Sequence, residues 1–99
     1  MTLKDQVLYQ VKELETEHYH EDQPTAYDWI NNALDIQYIV NEKKEYLGAR
    51  ILVTFGGPNI WVNTQYDQVE GYWGTDQETW TYKDNLGIDE ACRDLFECC

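Results

Sequence analysis

The chain has 99 residues, of which 42% are hydrophobic, and its 19 acidic against seven basic side chains leave a net charge of −12. That length suits one domain, residues 1–99, with a single modest core, and no run approaches the roughly 20 apolar residues of a membrane span. A surface of this sign repels phosphate, which excludes direct binding to nucleic acid and favours basic partners.

The start, Met1-Thr2-Leu3-Lys4-Asp5, lacks the basic and apolar stretches of a secretion signal, so a cytoplasmic protein is expected. Leu3, Val7, Val11 and Leu14 then recur at three- and four-residue steps. This is one face of a helix from about Leu3 to about Glu17. Thr2 and Asp5 have the spacing of a capping pair, with Asp where Glu or Gln is preferred. The polar run Glu17-His18-Tyr19-His20-Glu21-Asp22-Gln23-Pro24 reads as a loop. Thr25 and Asp28 repeat the cap spacing, and Tyr27, Ile30 and Leu34 mark a second helix from about Thr25 to Leu34.

After Asp35 the period falls to two. Ile36, Tyr38 and Val40 alternate with Gln37, Ile39 and Asn41 in a first strand. Residues 42–48 form a hairpin connection, and Ala49, Ile51, Val53 and Phe55 mark a second strand. Ile60 and Val62 flank Trp61 in a third; Val69, Gly71 and Trp73 alternate with Glu70 and Tyr72 in a fourth. Thr79-Trp80-Thr81-Tyr82 is short but rich in strand formers, a fifth strand or an edge. Ile88, Ala91, Cys92, Leu95, Phe96 and Cys99 then make an amphipathic helical stripe with Asp89 and Glu90 in its first turn. The expected fold is α+β: an antiparallel meander of four or five strands, with two N-terminal helices and one C-terminal helix packed on one face.

Gly56-Gly57-Pro58-Asn59 leads into the strand-like Ile60-Trp61-Val62, without the lysine and helix start of a phosphate loop. A turn between strands two and three fits better: glycine takes positive φ, proline presets a corner and Asn59 tolerates the left-handed position. "GGPNIWVNT" (56–64), followed closely by "VEGYWG" (69–74), resembles a small family carried by phages and mobile elements of gut Firmicutes. The resemblance spans roughly residues 49–75, with the acidic C-terminal helix in outline. It implies a setting of short accessory genes in a bacterial host, among which anti-CRISPR proteins are common.

The chemistry-bearing residues are sparse. His18 and His20 could meet one metal from an extended segment, but zinc needs three or four ligands and a solvated polar loop is the simpler reading. Cys92, Cys98 and Cys99 contain no CxxC pair, and their odd number at one end of the chain argues against a disulfide framework. Cys92 and Cys99 lie on the apolar stripe, and the neighbouring Asp94 and Glu97 oppose a thiolate. The chain has no serine. No catalytic residue, cofactor or metal ligand is therefore assigned, and a non-enzymatic protein is expected.

The charge is unevenly spread: eight acids against two bases in residues 1–41, two against three in 42–63, and nine against two in 64–99. Carboxylates on a helix and at strand ends can stand where phosphates would, facing a basic groove. The expected contacts are Asp67, Glu70, Asp76 and Glu78 around the later strands and Asp89, Glu90, Asp94 and Glu97 on the last helix. Trp61 and Tyr72, opposite the core-facing positions of their strands, are the candidate aromatic anchors. The expected function is charge mimicry of nucleic acid against a nucleic-acid-binding bacterial protein, a Cas effector among the candidates. The alternative is an adaptor or homodimer whose acidity serves solubility.

Overall fold

The computed structural model describes residues 2–15 and 26–98. In chain order these form α1 (Leu3–Leu14), α2 (Ala26–Asn31), β1 (Asp35–Val40), β2 (Tyr46–Thr54), β3 (Asn59–Asn63), β4 (Gln68–Trp73), β5 (Asp76–Thr81) and α3 (Ile88–Glu97). The strands make one sheet in the order β1-β2-β3-β4-β5, each neighbour antiparallel. This is the expected α+β meander, with the fifth strand present in full.

Local chemistry sets most boundaries. The Asp5 N–H donates to Thr2 Oγ1 at 3.1 Å and the Thr2 N–H to Asp5 Oδ2 at 3.3 Å, a reciprocal cap on α1. Such a cap contributes about 1 kcal/mol. α1 ends at Leu14 with Glu15 as its C-cap; the expected boundary at Glu17 and the expected α2 cap at Thr25 lie outside the described residues. α2 stops at Asn31, short of Leu34. Asn32 and Ala33 donate to the carbonyls of Trp29 and Ile30, a tightened last turn, and the Leu34 N–H is already committed to Leu52 O at 2.8 Å. α3 is started by Asp84, whose Oδ1 accepts from the N–H groups of Gly87 and Ile88 and whose Oδ2 accepts from that of Asp89.

The register sorts the sheet into two faces. Ile36, Ile51, Val62, Val69 and Trp80 stand in one cross-strand row, and Ile51, Val62 and Val69 are fully buried. α1 crosses this face over β4 and β5, and α3 covers it at β2. The close approach of α1 falls at Gly71, where a Cβ would meet Val7 Cγ2 at 2.5 Å and Leu3 Cδ1 at 2.9 Å. Phe96 of α3 packs its ring 5.3 Å from that of Tyr38 and 5.6 Å from that of Tyr46. On the opposite face, Leu52, Trp61, Glu70 and Thr79 form the equivalent row, and no helix of the described residues covers them. Among the described residues, no helix is long and apolar enough to cross a membrane.

Candidate functional site

The ten residues singled out in the sequence fall into four places: the open sheet face, β5, the β3–β4 turn and α3. Trp61, Glu70 and Tyr72 share the open sheet face. The Arg50 guanidinium lies 4.1 Å above the Trp61 ring and donates to Glu70 Oε1 from Nε at 3.3 Å and from Nη2 at 3.2 Å. The Tyr72 hydroxyl donates to the same oxygen at 3.4 Å. Glu70 is thus neutralised where it stands, and Trp61 and Tyr72 are half-buried rather than free. On this face Arg50 of β2 and Glu70 of β4 offset each other across Asn63 and Trp61 of β3, while the exposed Asp35, paired with Leu52, adds a carboxylate at the β1 edge.

Asp76 and Glu78 lie on β5, opposite Trp73 and Gly71, and so on the helix-bearing side. Glu78 Oε2 accepts from the Trp80 indole N–H at 3.1 Å, while Lys4 Nζ sits 5.3 Å from the Trp80 ring. Asp67 occupies the turn between β3 and β4 with φ 53°, a left-handed conformation that Asp tolerates better than most. Partial burial, then the charges of Asp84 and Asp89, hold its carboxyl above the usual carboxylate range.

On α3 the four acids divide. Asp89 turns inward: its Oδ1 accepts from the hydroxyls of Tyr46 and Thr64, each at 2.8 Å, and Thr64 Oγ1 in turn accepts the Ala49 N–H at 2.7 Å. Burial raises the Tyr46 hydroxyl well above its ordinary value, opposed by the Thr64 hydrogen bond and reinforced by Asp89. Glu90, Asp94 and Glu97 are exposed on the outward side. Arg93, the basic residue of α3, is directed to the Tyr46 ring at 5.4 Å. Among the described residues, Asp67, Asp76, Glu78, Glu90, Asp94 and Glu97 have no Lys or Arg within ion-pair distance. A groove of about 390 Å³ runs between α2 and α3, with Glu90 and Asp94 on it and Ala26, Leu86 and Ala91 below. The Tyr27 hydroxyl donates to Asp94 Oδ2 at 3.0 Å across it.

The sequence reading did not single out two exposed aromatics, Phe55 and Trp73. Phe55 is 74% and Trp73 49% accessible, at the end of the sheet where the two glycine-rich segments meet. There, Gly57, Asn59, Trp73 and Gly74 help line a cleft of about 170 Å³. Gly56 and Gly57 do take positive φ. Asn59 stays in β3 instead of turning left-handed, and acts through its side chain by accepting the Gly56 N–H at 2.8 Å. In sequence Phe55 continues the alternation of Ala49, Ile51 and Val53, so no local signal marks it; it falls just beyond the end of β2 at Thr54, after the register irregularity between Leu52 and Thr54. His18, His20 and Cys99 lie outside the described residues. Among those described, no group of three or more His, Cys, Asp or Glu side chains is placed to hold a metal.

Fold and surface together define a small acidic α+β protein with a helix face of carboxylates and a sheet face left open by its helices. Comparison of the chain with protein-family models, curated proteins and solved structures gives no match in any of the three.

Proposed function

We propose that this protein binds and inhibits a nucleic-acid-binding bacterial protein by presenting carboxylates where that protein expects phosphates, with a Cas effector as one candidate target. The observation that carries the reading is the outward face of α3, where Glu90, Asp94 and Glu97 project without ion-pair partners among the described residues. Uncompensated charge of one sign speeds encounter with a cationic groove and is strongly felt there once water is displaced. Asp67, Asp76 and Glu78 extend the negative field to the helix-bearing side of the sheet, while Glu70 and Asp89 are already engaged within the molecule. Trp61 and Tyr72, on the far face, touch only a partner that reaches round the sheet edge.

Affinity capture from a bacterial lysate, eluted with increasing salt, tests this. The expected catch is basic, is released as salt screens the contact, and loses its bound DNA or RNA when the protein is added. Neutral or acidic partners held regardless of salt would overturn the proposal. They would favour the second reading, an adaptor or homodimer joined through the open sheet face, for which the self-neutralised cluster of Arg50, Glu70 and Trp61 is the supporting observation.

A further inference from the structure

The groove between α2 and α3 combines an apolar floor with two carboxylates on one rim. Ala26, Leu86 and Ala91 form the floor; Glu90 and Asp94 stand one helical turn apart, about 6 Å along the axis of α3. We propose that this groove receives an arginine side chain of the basic partner. The inference rests on the charge-mimic reading and names the contact through which it acts.

Three features select that occupant. First, the carboxylates are available. The Tyr27 hydroxyl fixes Asp94 through Oδ2, and no described side chain hydrogen-bonds to Asp94 Oδ1 or to the Glu90 carboxylate. Second, the positive end of α3, which would oppose a cation, is covered. Asp84 takes the N–H groups of Gly87, Ile88 and Asp89, so the field at the groove mouth is set by Glu90 and Asp94. Third, among the described residues no cation fills the place: Arg93, three residues from Glu90, is directed to the Tyr46 ring. An anionic or purely apolar occupant would leave the two carboxylates desolvated without compensation, which is unfavourable. A lysine would satisfy the charge. The planar guanidinium, with five donors in a wider fork, suits two carboxylates a helical turn apart better than the compact ammonium while its stem lies on the alanine and leucine floor, and it is the less strongly hydrated cation.

The test uses fluorescent nona-arginine and nona-lysine peptides, titrated with the full chain by fluorescence anisotropy at low salt. The comparison is wild type, E90Q/D94N, and E42Q/E45Q, which removes the same charge from the exposed β1–β2 connection. Nona-arginine should bind E90Q/D94N about ten-fold or more weakly, as expected when charge-assisted hydrogen bonds are lost. Its binding to E42Q/E45Q should change no more than about two-fold, the long-range share. Amide NMR shifts on adding nona-arginine should centre on Ala26, Leu86 and Ala91, and circular dichroism verifies that both variants fold. Equal losses in the two variants would overturn the groove while leaving the diffuse charge-mimic reading standing. Nona-lysine binding as tightly, with the same dependence on Glu90 and Asp94, would overturn the choice of arginine. No binding of either peptide by the wild type would sink both proposals together.

Discussion

Cys92 lies on the apolar stripe of α3, fully buried, with its thiol pushed up to about 12, first by burial and then by the charges of Asp89 and Asp84. A protonated, enclosed thiol is a poor nucleophile. Iodoacetamide at neutral pH should therefore alkylate the exposed Cys98 and spare Cys92 until denaturant is added, read by peptide mass spectrometry. Rapid labelling of Cys92 in the native protein would contradict its enclosure. Asp67 offers a test through pH. Its carboxyl is raised in the folded state, so the folded chain holds that proton more tightly than the unfolded chain. Ionised Asp67 therefore opposes folding at neutral pH, and the penalty fades as pH drops through the raised pKa. Asp67→Asn should increase stability at pH 7 and flatten this part of the pH profile; solvent screening keeps the gain within about 0.5 kcal/mol. A lowered Tm at pH 7 would refute the assignment. Residues such as Asp89 show the limit of reading a site from sequence. Its place in the first turn of α3 was legible, but its hydroxyl partners lie 25 and 43 residues away along the chain. Only the fold brings them together and takes its charge out of the surface.

At the level of elements, the packing of α1 on the sheet depends on Gly71. Gly71→Ala places a methyl group 2.5 Å from Val7 Cγ2, so the helix must lift or its side chains must leave their rotamers. A loss of about 1–3 kcal/mol is expected in urea unfolding, the usual cost of overpacking; an unchanged midpoint would mean that α1 is free to shift. The helices were readable because their signals are local: the Thr2–Asp5 cap, the Leu3–Leu14 stripe and the 88–97 stripe each lie within a few turns. β5 was read only from Thr79 because Asp76, Gln77 and Glu78 show no apolar alternation. An edge strand needs none, since it is half wet on both faces. β2 begins at Tyr46 rather than Ala49 because the β1 ladder reaches across Gly48, whose lack of a side chain hides strand character and makes room for Gln65. The open face of the sheet was half-legible. Alternation put Trp61 and Tyr72 opposite the core, but nothing local says that Arg50 will cap that tryptophan from the next strand.

For the molecule as a whole, a net charge of −12 on 99 residues means self-repulsion that folding concentrates. Added sodium chloride should raise Tm by several degrees, since about 1 kcal/mol shifts a domain of this size by roughly 4–8 °C. A Tm that falls or stays flat between low and physiological salt would show that the acids are locally compensated. Strand order that repeats chain order carries a kinetic consequence. Each hairpin can zip using only its immediate neighbour, whereas α1 must return from the N-terminus to β4 and β5. On this topology nearby pairings are expected to form early and the distant helix to dock after the barrier is crossed. Gly71→Ala should then leave the refolding rate nearly untouched and accelerate unfolding, in stopped-flow chevrons of the variant and its parent. A slowed refolding limb would place the helix in the nucleus.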